Sequence, residues 1–357
     1  MTKPKSTKRS TRPFSSLPDA AYEGIEKSLT STDGRKIAWH EYGPEDGFPV
    51  FYCHGTPGSA IEAAVFAPAA RRHGCRIIAI NRPGLGDSDF KPDRTVADWA
   101  TDLEQVADSL GYQEFSVYGW SGGGPHALLS GAQLRERTRA IGLISPQGRY
   151  DPTKGAFDKF LSRIWMPALK VLSDRPKLGR KVLGVAFKLS DHHRGRRADT
   201  SMYDNIFGRS LQHSQKQDSR GAIHDNDALL DDWGMSLKEI ADELAKTDPP
   251  LPVTIWQGGK DIYVKEAATK ELADALPTSM IIQDPQATHL EELLDHTDNV
   301  MKMMKRTREE ALEGTDDSVE DDYSPDPDTL ETDDPGTAAQ PDRAPDNDAP
   351  TTDSSHY

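Results

Sequence analysis

The pattern Gly-Trp-Ser-Gly-Gly at residues 119–123 most constrains how this chain can fold. It follows the apolar run 115–118 and precedes the helix-like stretch 126–134. A strand, a sharp turn and a helix around Gly-x-Ser-x-Gly form a strained elbow that lifts the serine hydroxyl out of a sheet. The flanking positions must be small because they lie against the neighbouring strand and helix. The pattern predicts Ser121 as a nucleophile, although a Gly/Ser-rich turn without chemistry would look the same.

A serine hydroxyl is a weak nucleophile at neutral pH and needs two partners. A histidine must take its proton, and a carboxylate must orient that histidine. Around this elbow the acid and then the histidine follow the serine along the chain. The apolar strand 251–257 ends in a glycine turn that delivers Asp261, and a second strand, 279–283, leads to His289. The order predicts Ser121, Asp261 and His289 as nucleophile, acid and base.

The acid has two competing interpretations. Asp261 follows a glycine turn, so it could instead cap the helix predicted over 264–276. Asp151 is a rival acid because it follows the strand predicted over 140–145, but it lies several residues beyond the end of that strand.

The chain has 11 histidines, and most are expected at the surface or in helix caps. His289 could itself be only a polar residue at a helix start. His126 lies just behind Ser121 in the same predicted helix, too close along the chain to reach it. His54 precedes the serine and is expected to shape its own loop. His126 and His54 are therefore predicted to be structural.

The tetrahedral intermediate of acyl transfer needs two backbone N–H groups aimed at its oxyanion. Gly122, directly after the nucleophile, supplies the first. The strand 49–53 runs into the sequence HGTPGS at 54–59, and this loop supplies the second from Thr56. Removal of one such donor costs roughly 3–4 kcal/mol in a comparable enzyme.

Five motifs occur in a characteristic order: HGTPGS at 54–59, NRPGLGDSD at 81–89, YGWSGGGPHAL at 118–128, WQGGKD at 256–261 and THLEEL at 288–293. Together they resemble an α/β-hydrolase, in particular bacterial members with an HGTPGS loop and a GWSGGG elbow. The resemblance covers about residues 25–306. It implies Ser121, Asp261 and His289 as a catalytic triad, with Gly122 and Thr56 as the oxyanion hole. Serine at 121 disfavours the dehalogenase and epoxide hydrolase branches, which use aspartate there.

Strand-like runs at 50–53, 77–81, 115–118 and 140–145 alternate with helical segments after a hairpin over 25–42 that turns at Asp33-Gly34. Such alternation predicts an α/β fold with a mostly parallel central sheet flanked by helices. The alternation stops after 146, which indicates a helical lid insertion. The predicted organisation is a disordered basic arm (1–22), a first core part (23–146), the lid (147–250), a second core part (251–308) and a disordered acidic tail (309–357).

Charge is unevenly distributed along the chain. The net charge is −15, but residues 309–357 contain 17 acids and one base, while 149–199 contain 13 bases and five acids. The acidic tail could therefore contact the basic lid within one molecule. The lid could also attract an anionic lipid surface or substrate, or be simply a solvated face.

Composition bounds the partners and the compartment. No apolar run reaches the roughly 18–20 residues that cross a bilayer, and the basic start lacks an apolar signal core, so stable membrane insertion is not expected and the predicted location is cytoplasmic. Cys53 and Cys75 are expected to be buried free thiols. The sequence contains no Cys/His cluster of the kind that binds zinc, so no metal site is expected. The motif NRPGLGDSD lacks the dinucleotide-binding pattern, so a nucleotide site is not expected there. No other cofactor site appears in the sequence, and no cofactor is expected. The short basic arm is not expected to bind nucleic acid.

The pocket has three aromatic candidates, one of which, Trp233, lies near the end of the predicted lid. Trp120 neighbours the nucleophile, and Trp165 belongs to an apolar stripe at helical spacing over 157–172 in the lid. Such stripes usually pack on a core, but one that faces Ser121 would also line a pocket.

These features predict a serine hydrolase that cleaves a carboxylic ester, thioester or lactone of a small to medium apolar substrate through an acyl-enzyme on Ser121. A proline iminopeptidase-like peptidase is the alternative enzyme, favoured if acidic lid residues gather to hold an amine. A ligand receptor or scaffold without turnover on the same fold is the alternative of a different class.

Overall fold

A computed structural model describes residues 24–148, 201–276 and 278–313. Several predicted features lie outside the described residues: the basic arm, Asp151, Trp165, the apolar stripe and basic charge of 149–199, and the acidic tail from 314 onward.

Eight strands form one sheet in the order β1-β2-β4-β3-β5-β6-β7-β8. The first two are antiparallel, β2 pairs antiparallel with β4, and all later pairs are parallel. Gly34, at the predicted hairpin turn, adopts a φ of +85°. The predicted mostly parallel sheet and its leading hairpin are confirmed. The strands are β1 Ile25–Thr30, β2 Lys36–Tyr42, β3 Phe48–Cys53, β4 Cys75–Ile80, β5 Phe115–Trp120, β6 Thr138–Ile144, β7 Val253–Gly258 and β8 Ser279–Asp284.

Helices connect the strands and flank the sheet. A 3₁₀ helix, Ala60–Phe66, precedes α1, and α3 begins at Gly123, three residues earlier than the sequence predicts. The α-helices of the described residues are α1 Ala67–His73, α2 Trp99–Ser109, α3 Gly123–Gln133, α4 Ser201–Ser214, α5 Arg220–Leu229, α6 Leu237–Leu244, α7 Glu266–Ala275, α8 His289–Asp295, α9 Thr297–Met304 and α10 Arg308–Glu313.

The central strands are buried on both faces. In β5, Val117 and the adjacent Tyr118 point into different apolar clusters, because successive side chains of a strand alternate between faces. Helices α2 and α3 contribute to one cluster, and α1 and α9 contribute to the other. With both faces covered, the carboxyl ends of the parallel strands are the part of the sheet open to a ligand.

The insertion between β6 and β7 is helical where it is described, in α4, α5 and α6. Its last helix packs as part of the core: Leu237, Ile240 and Leu244 share a buried cluster with Leu128 of α3. Trp233, just before α6, is also buried in this cluster. A covering role for residues 149–200 stays a prediction.

Helix α10, Arg308–Glu313, runs across the predicted boundary between the second core part and the acidic tail. Thr307 and Glu310 cap its first turn reciprocally, with Thr307 N–H donating to Glu310 Oε2 at 2.9 Å. Arg308 donates to the carbonyl oxygens of Arg135 and Thr138, and Ala311 is buried. Helix α10 therefore continues the folded part of the chain to residue 313. The cap at Thr307 and the burial of Ala311 stabilise it although its sequence is acidic.

Both cysteines are buried free thiols, as predicted. Within the three described ranges, no helix has the length and apolar character needed to span a bilayer.

Candidate active site

Ser121 lies directly after β5 in a left-handed backbone conformation, with a φ of +54°. Its N–H donates to Ile144 O at 2.9 Å, and its carbonyl oxygen accepts from the N–H of Gly124 at 2.9 Å and of Gln147 at 3.0 Å. Such a conformation is strained for a residue with a side chain and needs surrounding bonds to hold it. The predicted elbow is present.

The small flanking residues of the elbow are required by close backbone contacts. A methyl group at Gly119 would lie 2.3 Å from Gly123 O. A methyl group at Gly123 would lie 2.0 Å from Cys53 O, at the end of β3. Both distances are far shorter than real carbon–oxygen contacts, so larger residues would displace the turn that carries Ser121.

The structure brings His289 and Asp261 together at the carboxyl ends of β7 and β8. His289 Nδ1 lies 2.6 Å from Asp261 Oδ2, a hydrogen bond in which the imidazole N–H donates. The other carboxylate oxygen, Oδ1, accepts from the N–H of Tyr263 at 2.8 Å and of Val264 at 2.9 Å. The Asp261 side chain is fully buried, whereas 11% of His289 is exposed.

These bonds determine the charge state of the acid. Burial alone would raise the pKa of Asp261, but the hydrogen bond and the charge interaction with His289, together with the Val264 and Tyr263 amides, lower it. The residue before α7 is Lys265, so Asp261 does not cap that helix. The capping interpretation is wrong for the helix, although Asp261 does bind amides of the turn before it.

Trp120 connects the histidine with the elbow. Its ring lies 4.9 Å from the His289 ring between centroids, and its Nε1–H donates to His289 O at 3.3 Å. Tyr263 lies against the same histidine, with ring centroids 5.4 Å apart. Within the described ranges, no hydrogen bond joins the Ser121 hydroxyl to His289.

The two predicted oxyanion-hole residues are neighbours. A methyl group at Gly122 would lie 2.6 Å from Thr56 Oγ1 and 2.9 Å from Thr56 Cβ. In the part of the chain that the structure describes, neither the Gly122 nor the Thr56 N–H donates to another protein group. Both amides remain available to a ligand oxygen.

His54 and His126 are fully buried away from this proton path. His54 Nδ1 contacts Gly55 O at 2.9 Å, and its Nε2 accepts from the Arg82 N–H at 3.3 Å. His126 Nδ1 contacts Gly122 O at 2.9 Å. Burial lowers the pKa of His54 well below its usual range and that of His126 to about 3, so both are neutral. They shape the two loops, as the sequence predicts.

Sequence reasoning missed three buried charged residues beneath the HGTPGS loop. Glu62 accepts from the Gly55 N–H at 2.8 Å, and burial raises its pKa to about 7. Arg82 and Asp225 form a fully buried ion pair at 2.7 Å. Arg82 stands in the NRPG motif, which offered a signal, but Asp225 lies in a polar stretch of α5 that resembles an ordinary helix surface.

Of the predicted pocket residues Trp120 and Trp165, the structure describes Trp120. Trp120 is half-buried and lies 5.6 Å from the ring of Phe207 on α4, a residue that the sequence analysis did not single out. Tyr263 is also new, with 64% of its surface exposed beside His289. Trp165 lies outside the described residues. Three aromatic rings thus surround the imidazole side of the elbow.

No cluster of three or more His, Cys, Asp or Glu side chains is arranged for a metal ion in the described ranges.

Parts of the chain are similar in sequence to proteins of two different activities. A proline iminopeptidase from Neisseria gonorrhoeae is 32% identical over 119 residues, which are 32% of this chain and 37% of that protein. A non-heme chloroperoxidase from Streptomyces lividans is 34% identical over 98 residues, which are 27% of this chain and 36% of that protein. The chain thus matches little more than a third of the length of either relative.

Solved structures match over much more of the chain. An esterase from Exiguobacterium antarcticum superposes with a TM-score of 0.59 at 20% identity, covering 79% of this chain and 100% of the esterase. An enol-lactonase from Burkholderia xenovorans superposes with a TM-score of 0.58 at 16% identity, covering 77% and 97%. At these identities the likeness concerns the fold.

The family model described as the alpha/beta hydrolase fold matches residues 49–291, a range that contains the elbow, the buried acid and the histidine. The chain belongs to the α/β-hydrolase fold family.

Proposed function

We propose that this chain is a serine hydrolase that cleaves an ester-like bond of a small to medium apolar substrate. The observation that carries the proposal is the Asp261–His289 hydrogen bond of 2.6 Å beside the strained elbow of Ser121. With Nδ1 occupied by Asp261, Nε2 of His289 is the nitrogen left to accept a proton. An esterase and an enol-lactonase share this fold, so cleavage of an ester or lactone is compatible with it.

In the proposed mechanism, Ser121 Oγ attacks the substrate carbonyl while His289 Nε2 takes the hydroxyl proton. The developing oxyanion accepts hydrogen bonds from the Gly122 and Thr56 amides. His289 returns the proton to the leaving group, and water then attacks the acyl-enzyme with His289 as base. Asp261 keeps the imidazole in the required tautomer and stabilises its positive charge.

Apolar substrates are favoured by the surroundings of the histidine. The rings of Trp120 and Tyr263 lie against the imidazole, and the buried Phe207 packs on Trp120. Ile262, next to the acid, is 59% exposed. Aromatic and aliphatic surface beside a catalytic group favours an uncharged acyl or alcohol part.

A fluorophosphonate probe tests the proposal, because it reacts with serine hydroxyls that a histidine activates. We expect the full chain to label at Ser121 and to hydrolyse p-nitrophenyl butyrate. Ser121→Ala should abolish labelling and lower kcat on the order of 10⁴–10⁶-fold. Ser109→Ala, which changes an exposed serine at the end of α2, is the matched control and should keep both. Turnover or labelling that survives Ser121→Ala would rule out this mechanism.

A peptidase is the second candidate, because the partial match to proline iminopeptidases favours it. It would use the same three side chains but would need acidic groups to hold the substrate's N-terminal amine. Release of naphthylamine from proline β-naphthylamide, compared with butyrate ester hydrolysis by the same preparation, separates the two. We expect the ester to be cleaved with the higher kcat/KM. If neither is cleaved and no probe labels, the receptor interpretation gains support.

A further inference from the structure

A buried ionic cluster underlies the HGTPGS loop. Asp225 of α5 is fully buried and accepts from Arg82 at both oxygens, from Nε at 2.8 Å and from Nη2 at 2.7 Å. Arg94 adds a third charged contact at 2.6 Å. Two guanidinium groups on one carboxylate hold the pKa of Asp225 well below its usual range, although burial alone would raise it. The carboxylate is therefore charged and fixed in position.

The cluster ends on Thr56. The Thr56 hydroxyl donates to Asp225 Oδ2 at 2.6 Å and accepts from Arg82 Nη2 at 2.8 Å. Arg82 also donates to the carbonyl oxygens of His54 and Gly55. One guanidinium and one carboxylate thus hold three consecutive residues of the loop.

Thr56 is also where the loop meets the elbow. Its hydroxyl and Cβ lie against Gly122, because a methyl group added at Gly122 would lie within 3 Å of both. The Thr56 N–H belongs to the same planar peptide group as Gly55 O, which accepts from Arg82 Nη2 at 3.1 Å. The Thr56 hydroxyl, held by Asp225 and Arg82, restrains the residue on the other side of that peptide group. A shift of about 1 Å in a catalytic group can cost on the order of 10²-fold in rate.

Asp225 reaches this point because α5 docks tightly on the loop after β4. A methyl group at Gly221 would lie 2.0 Å from Gly84 O, so the helix backbone and the RPGLG loop are in direct contact. The segment between β6 and β7 therefore supplies part of the support of the loop after β3, across 169 residues of sequence.

We propose that Asp225 is a positioning residue that sets the Thr56 amide of the oxyanion hole by holding the Thr56 hydroxyl; this rests on the hydrolase function proposed above. In this arrangement α5 acts on catalysis through Thr56 and supplies no reacting group itself.

Thr56→Val tests the proposal because it keeps the side-chain shape and the amide but removes the hydroxyl. We expect kcat for p-nitrophenyl butyrate to fall about 10–100-fold with KM changed by less than about 3-fold, as for a weakened oxyanion donor. Inhibition by hexyl trifluoromethyl ketone, whose adduct with Ser121 carries an oxyanion, should weaken by about the same factor. Thr56→Ser, which restores the hydroxyl, should recover both. Thr56→Ala repeats the test without placing a methyl group against the carboxylate.

Ser59→Ala is the matched control, since it removes another buried hydroxyl of the same loop, one that contacts Ser210 and not Asp225. It should keep the wild-type kcat and inhibitor affinity. Wild-type kcat and inhibition in both Thr56→Val and Thr56→Ala would overturn the positioning role while leaving the proposed function intact. Absence of fluorophosphonate labelling in the wild-type chain would instead refute the proposed function itself.

Discussion

Two buried aspartates hold the two sides of this site, and they are paired with different bases. Asp261, at the carboxyl end of β7, binds His289, whose side chain is 11% exposed. Asp225, on α5, binds Arg82 and Arg94, whose side chains are 0% and 2% exposed. Partners of opposite charge lower the pKa of both carboxyl groups.

The difference in partner separates chemistry from positioning. Histidine gains and loses a proton near neutral pH, whereas arginine stays charged at every pH a protein survives. Only the pair formed with His289 can move a proton, and it lies where solvent and substrate arrive. The Arg82 and Arg94 pairs supply fixed charge and geometry from inside the protein. Asp225, Arg82 and Arg94 thus form the fixed side of the site, and Asp261 and His289 form its proton-transferring side.

The largest expected effect is that of Asp261→Asn on the proton-transferring side. The Asn oxygen can still accept from the Tyr263 and Val264 amides, but its NH₂ group faces His289 Nδ1 and forces the wrong tautomer. We expect kcat to fall about 10⁴-fold, as for the equivalent change in serine proteases. Steady-state kinetics with p-nitrophenyl butyrate measure it.

The control is Asp102→Asn, which changes a buried aspartate of α2 that is paired with Arg35 and not with a triad residue. That variant should lose stability and keep its kcat. A kcat for Asp261→Asn within 10-fold of wild type would remove the distinction between the two aspartates.

Arg82→Lys addresses the fixed side. Lysine keeps the charge but cannot replace the forked contacts with Asp225 and the loop carbonyls. We expect the free energy of unfolding in urea to fall by about 3 kcal/mol, at the lower end for a broken buried ion pair.

Arg72→Lys is the matched control, because Arg72 also forks onto an aspartate, Asp298, but both side chains are about half exposed. It should change the free energy of unfolding by less than about 1 kcal/mol. Equal losses in Arg82→Lys and Arg72→Lys would show that burial does not strengthen the Asp225 cluster.

Glu62 introduces a titrating group next to the fixed side. Its Oε1 accepts from the Tyr52 hydroxyl and the Gly55 N–H, and burial raises its pKa from 4.5 to about 7. The folded chain then binds this proton more tightly than the unfolded chain. The group's contribution to stability is complete below pH 4.5 and is lost as the pH rises through about 7.

Glu62→Gln removes this titration but keeps an acceptor for both donors. Between pH 4.5 and 7, its free energy of unfolding should gain on that of wild type, by up to about 3 kcal/mol. Urea unfolding across that range measures the gain. Glu41→Gln is the contrasting control: although burial opposes it, bonds from Trp39, Lys27 and Arg76 lower the pKa of Glu41, so its contribution is lost at acid pH instead. Parallel pH profiles for wild type and Glu62→Gln would contradict the expectation.

The sequence carried more information about the proton-transferring side than about the fixed side. Ser121, Asp261 and His289 each end or follow a strand, and the motifs around them are short and local. Helix α3 starts three residues before the predicted start, because the glycines at its beginning are poor helix formers and the sequence pattern therefore predicts a later start. Glycine is required there by close packing of Gly123 against β3 and of Gly124 against residue 146.

The fixed side depends on contacts between distant segments. Asp225 lies 143 residues after Arg82 and 169 after Thr56, in a polar stretch of α5 that resembles an ordinary helix surface. Burial of Asp225 follows from the docking of α5 on the loop after β4, which no local pattern specifies. Glu62 was missed for the same reason: its burial comes from the fold of the 3₁₀ helix over β3.

Trp120 lies between the two sides and should show the smallest effect. Its ring packs against that of His289 at a tilt of 35°, and a methyl group at Gly55 would lie 2.8 Å from its Cε3. Trp120→Phe keeps an aromatic ring but removes the Nε1–H that donates to His289 O. A single hydrogen bond contributes about 1 kcal/mol, so we expect kcat to fall about 5-fold. Trp233→Phe, which removes an equivalent bond to Leu229 O inside the core, should lower stability but not kcat. If both variants kept the wild-type kcat, Trp120 would be only a wall of the pocket, and His289 would be oriented from the Asp261 side alone.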